Sequence, residues 1–130
     1  MRSRYTAFSL GLGAYLYDTL AAGHPDREHP RELMIRELSR VRDTQRFLGL
    51  TLLHASADAT QGEVLFFARV FAKGTNVSFA ELSEFVRENG AWRYLSGVLV
   101  PVAALSDDVA TLTRESFLEL ASTLSISEST

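Results

Sequence analysis

The sequence predicts one α+β domain, in which N-terminal helices pack on a curved four-stranded antiparallel meander and a short C-terminal helix follows. Apolar residues recur every three or four positions in the first third of the chain, and from Arg46 onward the period changes to two. Short Gly- and Asn-containing turns separate the alternating segments, so neighbouring strands pair in antiparallel order. Helices must then cover one face of the sheet, and a curled sheet closed by helices forms a cone with an interior.

Two helical segments are predicted ahead of the sheet. In residues 3–22 apolar side chains are spaced three and four apart, while Gly11 and Gly13 weaken the middle. We therefore expect either a kink or two short helices that meet there. A Gly-His-Pro sequence at 23–25 ends this segment, because Gly suits the position after a helix and Pro cannot continue one. The second helix is predicted at about 30–44.

Four strands make up the predicted sheet. The strongest turn signal is Asn89-Gly90, because both residues accept the positive φ angles of a two-residue hairpin. Both faces of the second strand are apolar, which predicts a central strand that is covered on each side. The predicted strands are 47–54, 63–73, 77–87 and 91–100.

The C-terminal part is predicted to contain one short helix near 114–124, with Thr113 as its N-cap. The residues that follow, 125–130, are polar and are expected to form a frayed tail. The predicted domain therefore spans residues 1–124.

Composition excludes several classes of protein. With 13 Lys and Arg against 16 Asp and Glu, the net charge of −3 provides no strong field for nucleic acid or an anionic membrane. The chain has no Cys, which excludes disulfides, thiolate zinc and Cys nucleophiles. No apolar stretch approaches the roughly 20 residues of a membrane span, and the N-terminus lacks a signal-peptide core. We therefore expect a soluble cytoplasmic protein that binds neither nucleic acid nor membrane.

The three histidines do not form a metal-binding pattern. His24 and His29 lie near acidic residues in a proline-containing connector, and their spacing matches no helical or finger site. We expect no metal and no cofactor. The His24 ring is expected to pack at a helix end, where the helix dipole favours a cation.

One face of the third and fourth strands is the predicted wall of the interior. Side chains alternate along a strand, which places Glu81 on this face between aromatic neighbours. Across the Asn-Gly turn, Phe85 and Trp92 are expected to be near cross-strand neighbours. The candidate binding residues are Glu81, Ser83, Phe85, Trp92, Tyr94 and Phe66, together with Arg4 from the first helix.

Glu81 has two interpretations. A carboxylate that faces the interior must be paired or protonated. It is either a general base or ligand anchor at the floor of a pocket, or one partner of an internal ion pair. We favour the ion pair, with Arg4 as the first candidate and Arg2 as the second, since an inward carboxylate with an available Arg is usually structural. In that case Glu81→Ala would cost about 3–5 kcal/mol of stability.

Several short motifs together resemble the YchJ-like family of uncharacterised bacterial proteins. They are Met1-Arg2-Ser3-Arg4-Tyr5-Thr6-Ala7-Phe8, Tyr15-Leu16 with Thr19 and His24-Pro25, Gly62-x-Val64-x-Phe66-x-Ala68, Glu81-x-Ser83-x-Phe85, and Gly90-x-Trp92-x-Tyr94-x-x-Gly97. The resemblance covers the frame of residues 1–100 and implies the nuclear transport factor 2-like superfold, a cone of helices on a curved sheet. Ala80 stands where the family usually has His, and Ser96 where it usually has Asp. Members of the family commonly carry a Cys-rich SEC-C zinc motif ahead of this domain. This sequence starts at the Met of the opening motif and has no Cys, so either the motif is missing from this member or it is only missing from this chain, and neither its zinc nor a partner bound through it can be carried over.

Two functions remain open at this point. The first is a non-catalytic binding or protein-interaction module, because no catalytic pair stands out. Its partner would be a small ligand in the cone, or a second copy in a homodimer through apolar sheet residues such as Leu65, Phe67 and Phe71. The alternative is a small-molecule enzyme of the isomerase or hydratase type, with Glu81 as general base and with Tyr94 and Ser83 orienting the substrate.

Overall fold

A computed structural model describes residues 1–105 and 108–129. The elements follow the predicted order, with helices first, then the sheet, then a helix. Their bounds are α1 Arg2–Leu10, α2 Gly13–Asp18, α3 Arg31–Thr44, β1 Arg46–Ala57, β2 Gln61–Ala72, β3 Thr75–Asn76, β4 Phe79–Glu88, β5 Ala91–Pro101 and α4 Arg114–Ser129. Short 3₁₀ helices lie at Pro25–Glu28, Val102–Ala104 and Val109–Thr111.

The N-terminal segment folds as two short helices, which is one of the two forms that the sequence predicts. α1 ends before Gly11, which adopts the left-handed conformation with a φ of 71°. α2 begins at Gly13, where the backbone passes close to α3. A Cβ at Gly13 would lie 2.1 Å from Ser39 Oγ and 2.2 Å from Ile35 O. The glycines that weaken the helix therefore also let α2 pack closely on α3.

The sheet is an antiparallel meander in the order β1-β2-β4-β5, and the two-residue β3 pairs with the end of β2. The predicted third strand is thus divided into β3 and β4. Buried Ser78 lies between them, and its Oγ accepts a hydrogen bond from the N–H of Val70 at 2.9 Å. This side chain takes the place of a backbone acceptor, which explains why the strand is interrupted there.

The β4–β5 hairpin turns at Asn89 and Gly90, whose φ angles of 52° and 81° confirm the predicted two-residue turn. The ladder shifts register beyond Phe85, which pairs with Tyr94, so Leu95 is the extra residue of a bulge. β1 carries two further register shifts against β2. Bulges bend the strands that contain them, and here they curve the sheet.

Helices cover both faces of the sheet, as predicted for the central strand β2. We call the side under α1, α2 and α3 the N-terminal face, and the side under α4 the α4 face. On the N-terminal face Phe66 and Val70 are buried beside Tyr5. On the α4 face Leu65 is buried in a cluster with Phe117.

The strand residues suggested as a dimer surface lie mainly under the chain's own helix. Leu65 is fully buried, and Phe67 packs against the same α4-covered cluster. Phe71 is half-buried. Leu65 and Phe67 therefore do not provide a free surface, because α4 already covers them.

α4 is longer than the predicted helix at 114–124, since it continues to Ser129 through most of the predicted tail. Its N-terminus is capped as predicted, with Thr113 Oγ1 accepting the N–H of Ser116 at 3.1 Å. An apolar stripe packs the helix on the sheet; it contains Phe117, Ala121 and Leu124. Residue 130 lies outside the described residues. Within the described part of the chain, no helix is long and apolar enough to cross a membrane.

The segment after α2 closes the cone against β5. Leu20 forms a parallel bridge with Tyr94. The N–H of Tyr94 donates to Thr19 O at 2.8 Å, and the N–H of Ala21 donates to Tyr94 O at 2.7 Å. Arg27 Nη2 also donates to Leu20 O at 2.8 Å. These bonds hold the first two helices over the inward side of β4 and β5.

Candidate functional site

A cavity of about 320 Å³ lies between the N-terminal helices and the N-terminal face of the sheet. Its apolar wall contains four phenylalanines: Phe8, Phe47, Phe66 and Phe79. Its polar side chains include Arg4, His24, Glu81 and Tyr94, and we call it the Glu81 cavity. Larger clefts of about 360, 540 and 720 Å³ exist elsewhere, but they are more open to solvent and have no buried charged residue in their lining. The Glu81 cavity therefore has the character of a ligand site, with apolar walls and a few convergent polar groups.

Glu81 is held by two neighbours through one of its oxygens. Ser83 Oγ donates a hydrogen bond to Glu81 Oε2 at 2.5 Å, and Tyr94 Oη donates to the same oxygen at 3.1 Å. Alternation places Glu81 and Ser83 on one face of β4, and Tyr94 reaches them from β5. In the described part of the chain Oε1 receives no hydrogen bond, and it keeps some exposure to solvent. That oxygen is left to accept a bond from a molecule in the cavity.

Gly97 makes this arrangement possible. It lies opposite Ser83 in the β4–β5 ladder. A Cβ at Gly97 would lie 2.5 Å from both Glu81 Oε2 and Tyr94 Oη. The carboxylate and the phenol thus occupy the space that a side chain at this position would fill, so the site requires glycine here.

Arg4 is nearly buried but does not pair with Glu81, so the predicted ion pair is wrong. Its Nη1 donates to Leu16 O at 2.9 Å and to Thr19 Oγ1, while its guanidinium lies 4.7 Å from the centroid of the Tyr94 ring. Among the described residues, neither Arg4 nor Arg2 has a carboxylate oxygen within 4.0 Å. The physical reason is local: the C-terminal end of α2 presents an unpaired carbonyl that attracts the guanidinium.

The pKa shifts around the cavity follow from burial. Burial lowers the pKa of Arg4, and the nearby Tyr94 and Glu81 oppose that effect. Burial raises the pKa of Tyr94 far above its usual value, and the Glu81 carboxylate adds to the increase. Tyr94 therefore stays neutral at ordinary pH and acts as a hydrogen-bond donor.

His24 is a neutral acceptor rather than the helix-end cation that the sequence suggests. Its Nδ1 accepts the N–H of Asp26 at 3.0 Å, at the start of a 3₁₀ helix, and its ring lies 5.7 Å from that of Tyr94. Burial lowers the pKa of His24, with Asp26 raising it and Arg4 and Arg27 lowering it further. Because Nδ1 is an acceptor, the neutral ring carries its proton on Nε2.

The predicted binding residues separate into two groups. Arg4, Phe66, Glu81 and Tyr94 line the cavity, and fully buried Ser83 supports Glu81 from behind. The other two residues, Phe85 and Trp92, do not line it.

Phe85 and Trp92 are diagonal cross-strand neighbours, as the sequence suggested, but they are not directly opposite each other. Phe85 stacks edge-on against Tyr94, with ring centroids 5.7 Å apart. Trp92 is 40% exposed and lies opposite Arg87. A two-residue turn sets Glu88 opposite Ala91 and therefore fixes this register.

Sequence reasoning missed several groups that form the site. Phe8, Phe47 and His24 line the cavity, and Gly97 gives room to Glu81. An isolated glycine inside a strand often marks a close approach, and this signal could have identified Gly97. Among the residues described, no group of three or more potential metal ligands comes together.

Comparison with known proteins gives the family. Residues 1–97 match the family model for the YchJ middle NTF2-like domain. The chain belongs to the YchJ-like family. A UPF0225 protein of Chromobacterium violaceum is 37% identical over 102 residues, which is 76% of this chain and 70% of that protein. A UPF0225 protein of Geobacter sulfurreducens is 30% identical over 113 residues, covering 84% of this chain and 67% of the relative.

Two solved structures resemble this YchJ-like chain. One is RPA3114, a SEC-C motif containing protein from Rhodopseudomonas palustris, with a TM-score of 0.63 and 31% identity over 75% of this chain and 73% of that one. The other is a domain of unknown function with a cystatin-like fold from Nostoc punctiforme, with a TM-score of 0.57 over 99% of this chain and 92% of that one. At 13% identity the second similarity shows the fold alone. The family and fold that the motifs imply are thus confirmed.

Proposed function

We propose that this YchJ-like protein is a non-catalytic binding module whose small-molecule ligand occupies the Glu81 cavity. The observation that carries the proposal is the pairing of an apolar cavity with an oriented carboxylate. Ser83 and Tyr94 fix Glu81 through Oε2, and Oε1 remains for a ligand. A side chain held in one orientation loses little conformational entropy when a ligand binds, so the site is preorganised.

The missing ion pair supports this proposal. A structural Glu81–Arg4 pair would satisfy both charges inside the protein and leave the cavity without a polar anchor. Instead, each group lines the cavity and has hydrogen-bonding capacity that no described residue uses. Buried polar groups are normally satisfied, and a bound ligand would satisfy these.

A ligand-stabilisation screen tests the proposal. Compounds that bind the folded state raise the melting temperature in a concentration-dependent way. We expect single-ring polar compounds to raise the melting temperature of the wild-type protein. The same compounds should not stabilise Ala68→Leu, because the larger side chain extends from a buried lining position into the Glu81 cavity. Val98→Leu, at an exposed site on the other face, is the matched control and should respond like wild type. Equal responses of wild type and Ala68→Leu would exclude the cavity as the binding site.

The second candidate is an isomerase- or hydratase-type enzyme with Glu81 as general base. The accessible Oε1 favours it, since a base must reach the proton that it removes. The two functions differ in the fate of a bound compound. A stabilising compound that is recovered unchanged after long incubation supports the binding module. Turnover that disappears in Glu81→Gln would support the enzyme.

A further inference from the structure

The most unusual charged group in the structure is Arg4, because it is nearly buried and has no anionic partner in the described part of the chain. It is 6% exposed. Its Nη1 is bonded to Leu16 O and Thr19 Oγ1, both of which are neutral acceptors. A guanidinium has five N–H donors, neither Nε nor Nη2 of Arg4 is hydrogen-bonded to a described residue, and the side chain lines the cavity. Glu81 and Tyr94 offset part of the cost of burying this charge, but neither is hydrogen-bonded to the guanidinium. The unused N–H groups of Arg4 are therefore available for an anionic group from outside the chain.

We infer that the ligand of the Glu81 cavity is a small single-ring carboxylic acid with a hydroxyl group, whose carboxylate binds Arg4 and whose hydroxyl donates to Glu81 Oε1. This inference rests on the proposed function and adds the chemical class of the ligand. A planar guanidinium matches a carboxylate in size and geometry and can bind it through two parallel hydrogen bonds. Glu81 Oε1 is left as a hydrogen-bond acceptor and is matched by a donor on the ligand.

Tyr94 links the two anchors, because it contacts both of them. Its ring face lies 4.7 Å from the Arg4 guanidinium, and its hydroxyl donates to Glu81 Oε2. The two anchors are therefore neighbours of the same phenol, close enough for one compact ligand to contact both. The phenylalanine wall, in which Phe66 and Phe79 pack edge to face, suits a flat apolar ligand body.

Other ligand chemistries fit the cavity less well. A neutral ligand would leave Arg4 unpaired. A phosphate would bring up to two negative charges next to Glu81 and Asp26, both of which line the cavity. An amine without an acid group would be repelled by Arg4. A volume of about 320 Å³ is at the lower end for ligand pockets, which limits the ligand to a small molecule.

The test is a set of matched acid–amide pairs. The probes are 3- and 4-hydroxyphenylacetate, hydroxybenzoates and hydroxycyclohexane carboxylates, each with its primary amide and with its O-methyl ether. Binding to the wild-type protein is measured by ligand-observed NMR and by titration calorimetry. We expect the acids to bind at least tenfold tighter than their amides, and O-methylation of the best acid to weaken it several-fold.

Variants locate the two contacts. Arg4→Gln should remove the preference for acid over amide. Glu81→Gln should remove the preference for the free hydroxyl over its methyl ether, because an amide oxygen is a weaker acceptor than a carboxylate. If Arg4→Gln does not fold, the acid–amide comparison in the wild-type protein still decides the question.

The outcomes separate the inference from the proposed function. Amides that bind as tightly as their acids in the Glu81 cavity would overturn the ligand class and leave the binding module intact. If neither acids, amides nor ethers bind at millimolar concentration, both the inference and the proposed small-molecule site are overturned.

Discussion

The two faces of the sheet are covered by helices in different ways. On the α4 face Leu65, Val100 and Phe117 are fully buried in an apolar cluster, and the nearby Glu63 carboxylate is paired with Arg114. On the N-terminal face apolar residues such as Phe66 share the interior with Arg4, Glu81 and a cavity. The α4 face is a closed apolar core, while the N-terminal face contains buried polar groups and the space that the proposed ligand would occupy.

The largest expected effect is on the α4 face. Phe117→Ala should lower the free energy of unfolding by about 3–5 kcal/mol, because it removes a fully buried aromatic ring and leaves a cavity. Leu118→Ala, one position along the same helix and 36% exposed, should change it by less than about 0.5 kcal/mol. Denaturant unfolding measures both variants. If both variants lose only a little stability, then Phe117 of α4 is not part of a buried core on this face of the sheet.

On the N-terminal face, Gly97→Ala should have the next largest effect. The added Cβ would displace Glu81 and Tyr94 from their positions 2.5 Å away, at a cost of about 1–3 kcal/mol of stability. Ligand binding in the cavity should be lost together with this stability. The matched control is Gly49→Ala in β1, where a Cβ would meet no atom within 4 Å. Unaltered stability and binding in Gly97→Ala would contradict the proposed geometry of the site.

Glu81→Ala distinguishes the observed arrangement from an ion pair. The change removes the acceptor of Ser83 and Tyr94, and lost hydrogen bonds of this kind cost about 1–3 kcal/mol. Breaking a buried ion pair would cost about 3–5 kcal/mol. Glu81→Gln, which keeps an oxygen acceptor, should be milder than Glu81→Ala in the same unfolding experiment. A loss of more than about 4 kcal/mol for Glu81→Ala would instead indicate that Glu81 forms a buried ion pair with Arg4.

His24 should give the smallest effect, visible as a pH dependence of stability. Burial lowers its pKa in the folded protein, so below the unfolded value of 6.5 the unfolded chain takes up the proton first. Stability is therefore complete above that pH and falls as the pH decreases through the window below it. His24→Asn keeps an acceptor for the N–H of Asp26 but does not titrate. Between pH 7 and 5, the free energy of unfolding should depend less on pH in this variant than in the wild-type protein. If both proteins show the same pH dependence, His24 does not cause it.

Local features of the fold could be predicted from the sequence because local rules determine them. The Asn89-Gly90 turn, the helix break before Gly13 and the two covered faces of β2 depend on φ preferences and on periodicity. The predicted C-terminal end of α4 was wrong: the helix continues to Ser129, although the polar residues after 124 were predicted to fray.

The partners in the site could be predicted only in part. Alternation along β4 placed Glu81 inside, but the position of Arg4 depends on how α1 meets the end of α2, which no periodicity encodes. His24 reached the cavity through the same tertiary arrangement. A glycine inside a strand indicates a close approach, but the sequence could not show that the Glu81 and Tyr94 side chains are the groups that approach Gly97.

The central claim is that the N-terminal face, and not the α4 face, binds a small molecule. Backbone amide shifts in ¹H–¹⁵N NMR spectra, recorded during titration with a stabilising ring acid, test it most directly. The account predicts progressive shifts at Glu81, Tyr94 and Gly97, with Phe117 and its α4 neighbours unchanged. Shifts centred on α4 while residues around Glu81 stay constant would contradict it.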